Sequence, residues 1–377
     1  MAFLKYPGGK ERELPQIIAA LPPVIKDYYE PFVGGGSVYL AVKADNYYIN
    51  DRSDELIDLY RRIQSQDEGL FGALSAIDRI WTDITVIADE HAAELLKIYK
   101  GFRNSPEDNS SLTSAVKCLT VLCRDELTGI GEPPFDKCRA DFFAILGKTA
   151  SGKLARMKKL EKSKGLLPDG DVLKNLEGAV KAAFYTYCRE MMNIRRACGG
   201  MDVFDAALYL FIRETCYSSM FRYNEKGGFN VPYGGISYNR KTLAPRIAAY
   251  KDPAVVAKLR KTDIFCMDFE DFLNAQSPQK GDFVFLDPPY DTDFSQYAGN
   301  SFGQVDQKRL ADWLIKSCEA NFMVVIKNTE FIDSIYPDGV LCRSGGRLRK
   351  TGFDKTYQVS FMNRNDRKAE HLIITNY

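Results

Sequence analysis

Asp287, Pro288, Pro289 and Tyr290 set an acid, two prolines and a phenol ring in four consecutive positions. They close the apolar run Asp282-Phe283-Val284-Phe285-Leu286, which is entered through Lys280-Gly281 and reads as one short buried strand. Proline stops a strand and supplies no N–H, so the carbonyls here are free to accept from another donor. The Asp287 carboxylate and the Pro288 carbonyl then form an acceptor pair, with the flat face of Tyr290 beside them. Such a set suits an amino group on a planar ring: two acceptors for the NH2 hydrogens and an aromatic to stack on the base. The competing reading is a plain strand exit with a capping acid.

The elements that would position this group begin at the other end of the chain. Phe3-Leu4-Lys5-Tyr6-Pro7-Gly8-Gly9-Lys10 contains a glycine pair that lets backbone approach a ligand, flanked by Tyr6 and Lys10. Tyr28-Tyr29-Glu30-Pro31-Phe32-Val33-Gly34-Gly35-Gly36-Ser37 reads as a strand, a glycine turn and a helix starting at Ser37. The spacing is not Gly-x-Gly-x-x-Gly, and no Gly-Lys-Ser/Thr follows, so neither a dinucleotide nor a phosphate cradle is indicated. Glu30 at the strand end would repel a phosphate but accept from an ammonium or a hydroxyl. Tyr47-Tyr48-Ile49-Asn50-Asp51 is a second strand ending in an acid, the position that meets ribose hydroxyls in βαβ folds. Two acids facing a glycine turn suit a cationic, ribose-bearing ligand without phosphates, a description that S-adenosylmethionine fits. Asp51 also reads as a helix cap ahead of Ser53-Asp54-Glu55, and the two roles are compatible.

Taken in this order, the segments resemble the Dam-type family of adenine-N6 DNA methyltransferases. The resemblance is carried by Lys5-Tyr6-Pro7-Gly8-Gly9-Lys10, by Glu30-Pro31-Phe32-Val33-Gly34-Gly35-Gly36-Ser37, by Asp51 and by Asp287-Pro288-Pro289-Tyr290. Phe221-Arg222-Tyr223-Asn224 through Gly227-Gly228-Phe229-Asn230-Val231-Pro232-Tyr233-Gly234 is similar to the family's DNA-contacting hairpin, and Asn300-Ser301-Phe302, Val325-Ile326-Lys327-Asn328 and the closing Leu372-Ile373-Ile374-Thr375-Asn376-Tyr377 are also similar. The likeness spans residues 1–62 and about 205–377. It implies an α/β fold: a Rossmann-like, mixed seven-stranded methyltransferase sheet with an inserted, mainly helical DNA-recognition domain. The expected domains are 1–62 with 255–377 for catalysis, and 63–254 for target recognition, with an insertion at about 100–200. The implied cofactor is S-adenosyl-L-methionine, contacted by Tyr6, Lys10, Glu30, Phe32, Gly34, Gly36, Asp51, Asp268 and Asp287. The implied catalytic residues are Asp287, Pro288 and Tyr290. Asp268 reads equally well as the cap of the helix opening with Phe269-Glu270-Asp271.

The implied partner is double-stranded DNA, met by Tyr217, Ser218, Arg222 and Asn224 in the recognition segment and by Arg347, Arg349 and Lys350 on a basic, glycine-containing loop. Arginine bidentate to guanine is the commonest specific contact, which makes Arg222 the candidate base reader. The family's Tyr-Asn-Gly stands here as Tyr217-Ser218-Ser219, and a serine bonds a base edge through one group where an asparagine uses two. The expected target therefore differs from the usual Dam site. Tyr6 in place of the family's frequent Trp, and Gly34-Gly35-Gly36 in place of Gly-Ala-Gly, are milder departures.

Composition narrows the remainder. A net charge of +1 over 377 residues places any nucleic-acid surface in local clusters. Nine cysteines without a Cys-x-x-Cys pair and only two histidines, His91 and His371, argue against a zinc site and against histidine catalysis. Scattered cysteines fit a reducing cytoplasm, and no apolar run approaches the roughly 20 residues of a membrane span. The stretch from Lys148 through Lys164 is strongly basic, and its Gly147-Lys148-Thr149 lacks the strand and upstream glycine of a phosphate loop. A DNA-phosphate arm and a solvated helix or loop both fit it. Three readings of the whole stay open at this point: a DNA adenine methyltransferase that flips its base, with or without a cognate restriction endonuclease; an RNA adenine methyltransferase; and a catalytically silent DNA binder. Cytosine-N4 transfer fits less well, because serine commonly replaces the first acid there. Oligomeric state is not legible.

Overall fold

A computed structural model describes residues 2–6, 8–106, 108–135, 139–220, 222–289, 302–356 and 368–377. The chain forms two compact units, one of residues 1–66, 220–230 and 250–377, the other of residues 67–219 and 231–249. The segment 220–230, grouped with the helical part on sequence grounds, thus packs within the first unit.

Among the described residues the first unit is built on one seven-stranded sheet of β1 (Asp27–Glu30), β2 (Asn46–Asn50), β3 (Thr262–Phe265), β4 (Phe283–Leu286), β5 (Asn321–Lys327), β6 (Arg349–Thr356) and β7 (Lys368–Thr375). Their spatial order is β3-β2-β1-β4-β5-β7-β6. The first five pair parallel, and β7 runs antiparallel to both β5 and β6. This is the mixed sheet expected from the sequence. β4 is buried at all four positions, as a central parallel strand covered on both faces must be. The chain goes from β1 outward to β2 and β3, then returns to the other side of β1 as β4. A ligand crevice forms beyond the carboxyl ends of the strands at such a reversal.

The helices of this unit are α1 (Leu14–Ala19), α2 (Ser37–Ala41), α3 (Asp54–Gln64) and, after the second unit, α11 (Pro253–Leu259), α12 (Phe269–Gln276), α13 (Gln304–Lys316) and α14 (Glu330–Ile335). Leu310, Ala311 and Leu314 of α13 and Phe272 and Leu273 of α12 pack on Val284, Leu286, Phe322, Val324 and Ile374 of the sheet. Each Leu, Val, Ile or Phe side chain among them, removed from water, contributes about 1.5–3 kcal/mol. Asn50, at the end of β2, is buried and ties neighbouring strand ends together: its Nδ2 donates to the carbonyls of Pro31 and Met267 at 3.0 and 3.1 Å, and its Oδ1 accepts from Met267 N.

The second unit is helical: α4 (Glu68–Glu90), α5 (Ala92–Asn104), α6 (Asn109–Glu126), α7 (Arg139–Lys164), α8 (Asp169–Ala197), α9 (Val203–Thr215) and most of α10 (Ala244–Tyr250). Trp81 sits at its centre, with Phe211 and Tyr233 edge-on at 5.2 and 5.6 Å. Lys181 is fully buried over the Trp81 ring at 4.2 Å, and burial, partly offset by Glu177, pushes its ammonium down to about 7. Gly147-Lys148-Thr149 lies inside α7, so its backbone amides are spent on the helix ladder and form no anion loop.

Candidate active site

Three carboxylates end three adjacent strands at the chain reversal: Glu30 on β1, Asp51 just past β2 and Asp287 just past β4. Glu30 is 3% exposed and accepts from the Tyr28 hydroxyl at 2.7 Å. Burial pushes its carboxyl up to about 8, with Asp287 adding to the rise and the Tyr28 bond and Lys258 opposing it. Lys258 is a site residue that sequence reading missed. Its ammonium donates to the carbonyls of Tyr39, Leu40 and Val42, the last turn of α2, and lies 4.4 Å over the Tyr47 ring. Burial brings it down to about 8, while Glu30 pulls the other way. A lysine on a short helix 228 positions after its acid gives no sequence signal.

The glycine turn is shaped by what crosses it. Phe3 N donates to Gly35 O at 2.7 Å, and the Tyr60 hydroxyl donates to Gly34 O at 3.1 Å. Gly34 and Gly36 both have positive φ, and a Cβ on Gly36 would stand 2.4 Å from Tyr60 Oη. A Cβ on Gly34 would meet the Tyr6 ring at 3.1 Å, which places Tyr6 directly over the turn. Asp51 holds the turn from the other side: Oδ2 accepts from Gly34 N at 3.1 Å and Oδ1 from Ser53 N at 3.0 Å. Burial raises its carboxyl even so. Ser53, rather than Asp51, is the cap of α3, accepting from Leu56 N.

Lys10 is 2% exposed, and its ammonium pairs with Asp287 and donates to Gly8 O at 3.0 Å. The N-terminal turn and the strand-end acid, 277 positions apart, are thereby joined. Pro289 O accepts from Nε2 of Gln307, a fully buried residue on the sheet-facing side of α13, at 2.8 Å. Sequence reading missed Gln307 as well; a polar residue on the apolar stripe of α13 was the available signal. Tyr290 lies outside the described residues. Phe32, Phe269 and Phe302 form an aromatic trio with centroids 5.5–5.7 Å apart. Asp268 caps α12 by accepting from Glu270 N at 3.0 Å, and it pairs with Arg309 at 2.9 Å. Arg309 also binds Glu270 and Asp306 and covers the Phe269 ring, so Asp268 belongs to a structural ion cluster.

The candidate recognition residues divide between the units. In the first, residues 222–230 form a hairpin in which Tyr223 pairs antiparallel with Phe229, their rings 5.6 Å apart. Asn224 builds its turn: Oδ1 accepts from Lys226 N and Gly228 N at 3.0 and 2.9 Å. Arg222 is exposed, with Nε donating to Asn230 Oδ1 at 2.8 Å. In the second unit, Tyr217 is 46% exposed, and Ser218 and Ser219 both adopt left-handed backbone, φ 53° and 52°. Such a conformation costs a non-glycine residue on the order of 1 kcal/mol or more and clusters at binding sites. The basic, glycine-containing segment 343–350 is a tight turn: Gly345 N donates to Cys342 O, Cys342 N to Gly346 O, and Leu341 bridges Arg347. Arg347 donates to Gly339 O, Lys350 pairs with Asp333, and Arg349 stands exposed on β6.

With this geometry in hand, the chain matches the family model described as D12 class N6 adenine-specific DNA methyltransferase over residues 6–100 and 157–347. It is 31% identical over 176 residues to the type II methyltransferase M.CviBI of Paramecium bursaria Chlorella virus NC1A, an alignment covering 46% of this chain and 61% of that protein. It is 26% identical over 349 residues to the type II methyltransferase M.MjaIII of Methanocaldococcus jannaschii, covering 88% and 85%. A DNA adenine methylase of Haemophilus influenzae is 23% identical over 344 residues, covering 89% and 82%.

Proposed function

Because the chain belongs to the D12 class of N6 adenine-specific DNA methyltransferases, we propose that it takes a methyl group from S-adenosylmethionine and places it on the N6 amino group of an adenine flipped out of a specific duplex sequence. The observation that carries this reading is the meeting of Glu30, Asp51 and the Lys10–Asp287 pair at the carboxyl ends of β1, β2 and β4. The donor set fits the cofactor: it is acidic, and Gly34 and Gly36 leave room for Tyr6 and Tyr60 to close on the turn. When bound, the sulfonium supplies an electrophilic methyl group whose transfer leaves a neutral thioether.

The chain's own residues then have distinct tasks. Tyr6, Asp51 and the glycine turn hold the cofactor, with Phe32 beside them and Asp268 fixing the α12 wall of the same crevice. Glu30, satisfied by Tyr28, supports the turn from beneath. The adenine must leave the stack for its amino group to reach Asp287. That amino lone pair is delocalised into the ring and is a poor nucleophile. The Asp287 carboxylate and the Pro288 carbonyl accept its two N–H bonds, favour a pyramidal nitrogen and stabilise the positive charge that develops there, a contribution of several kcal/mol. Tyr290 stacks on the ring. Lys10 compensates the Asp287 charge until the base arrives. Arg222, Asn224, Tyr217 and Ser218 contact the target, and Arg347, Arg349 and Lys350 contact the backbone. With Ser218-Ser219 in the recognition segment, the target is not the usual Dam site. A cytoplasmic location fits the free thiols at Cys118, Cys123 and Cys188. The type II names of the viral and archaeal relatives make a cognate restriction endonuclease a candidate partner.

The test is expression in a methylation-free host followed by base-modification sequencing, with Asp287→Ala in parallel. Adenine methylation at one recurring motif is expected from the parent, and none from Asp287→Ala, whose affinity for duplex DNA stays within about twofold. A folded Asp287→Ala protein that no longer binds DNA would remove Asp287 from its catalytic role. Unmodified host DNA with folded parent protein would move the reading to an RNA substrate or to a silent DNA binder.

A further inference from the structure

We propose that the outward face of α7 is a phosphate-contacting surface for duplex DNA, distinct from the recognition hairpin, that supplies affinity without sequence. This rests on the methyltransferase reading for its substrate and adds a second binding element to it. Lys148, Arg156, Lys159 and Lys162 are all exposed. At about 100° per residue they fall within one arc of roughly 120° on the helix. Gly152, Ala155 and Ser163 lie between them on the same arc and are also exposed, so no bulky side chain holds a rod-shaped partner away. From Lys148 to Lys162 the helix advances about 21 Å, an axial length over which one DNA strand presents about six phosphates.

The sorting of charges along α7 is the stronger argument. Cations needed inside the unit point inward: buried Lys158 donates to Phe102 O and Ser105 O at 3.0 and 2.8 Å, and Lys153 donates to Asn175 Oδ1. The acid of this stretch is also turned inward, since Glu161 is buried and accepts from Tyr99 Oη and Leu167 N. The outward arc keeps one carboxylate, Asp141, two turns before Lys148. A helix adapted only to water alternates its charge signs in pairs three or four residues apart. Here Arg156 and Lys159 repeat one sign at that spacing, which destabilises an isolated helix and is relieved by a polyanion. The net charge of +1 gives the whole molecule no attraction of its own for DNA, so a local face of this kind is where that attraction can reside. The first half of α7 also lies in the stretch 101–156 that separates the two family-matched segments.

The test replaces Lys148, Arg156, Lys159 and Lys162 together with glutamine and measures binding to a duplex without target sites across a salt series. The slope of log K against log salt is expected to fall by about 3–4, at about 0.9 per phosphate contact. Turnover at saturating DNA and the methylated motif stay as in the parent. An unchanged slope and unchanged affinity in a variant with parental circular dichroism and melting midpoint would overturn the proposal, and so would a loss confined to an RNA duplex. If the fourfold variant misfolds, the pairs Lys148→Gln with Arg156→Gln and Lys159→Gln with Lys162→Gln serve instead, each expected to remove about half the slope change; folded pairs with the parental slope overturn it equally. A parent that neither binds nor methylates DNA would instead defeat the methyltransferase reading.

Discussion

Glu30 carries a consequence at the level of a single residue. Its carboxyl rises from an ordinary 4.5 to about 8, chiefly through burial. Between those values the folded chain holds a proton that the unfolded chain has released, so stability falls as pH rises from about 4.5 through 8. Glu30→Gln keeps the Tyr28 partner and removes the titration. Its melting midpoint should match the parent near pH 5 and exceed it by a few degrees at pH 8.5. A difference that is the same at both pH values would mean that Glu30 is ionised throughout. Gln307 makes a separate case. Among the described residues its Oε1 meets no hydrogen-bond partner, and a buried amide left half-satisfied costs about 1–3 kcal/mol. Holding Pro289 O in place is the compensating task. Gln307→Met should therefore leave stability equal or higher while lowering kcat tenfold to a hundredfold with KM for DNA unchanged, since small misplacements of reacting groups carry penalties of that order. Parental kcat in the folded variant would reduce Gln307 to a core residue.

The elements show which signals survive in a linear sequence. Strand, turn and helix at residues 28–41 were legible because apolar runs and glycines report local backbone, and the acids at strand ends were legible because type and position coincide. What stayed hidden depends on contacts between distant segments. Lys258 under α2 and Arg309 beside Asp268 sit on ordinary helices with nothing local to mark them, and the one trace of Gln307 beside Pro289 is a polar residue on the apolar stripe of α13. The glycines of 345–346 are likewise set by distant surroundings: Gly345 serves the positive φ of a tight turn, and a Cβ on Gly346 would collide with Asn376 O. The glycine turn at 34–36 permits a sharp test. Gly36→Ala meets two penalties, a left-handed φ of 66° and a clash with Tyr60 Oη. It should lose about 2–4 kcal/mol and most cofactor affinity. Adding Tyr60→Phe removes the clash together with the hydroxyl's bond to Gly34 O, and should recover part of the stability by denaturant titration. Complete recovery would show that φ at this position is unconstrained.

At the scale of the whole molecule, the chain passes between its two units four times, after residues 66, 219, 230 and 249. Every described candidate cofactor residue, Tyr6, Lys10, Glu30, Phe32, Gly34, Gly36, Asp51, Asp268 and Asp287, belongs to the first unit. The second unit has its own aromatic centre around Trp81, together with the buried ion and hydrogen-bond sets of Lys158, Glu161 and Lys181. A ligand that binds only the folded first unit stabilises that unit by RT ln(1 + [L]/Kd), about 2.7 kcal/mol at a hundred times Kd. S-adenosylhomocysteine at that excess should slow amide exchange in peptides from 8–66 and 250–289 by up to about a hundredfold. Peptides from α7 and α8 should exchange at their ligand-free rate. Equal slowing in both sets would show that the units unfold together, and that cofactor binding stabilises the helical unit across the four crossings.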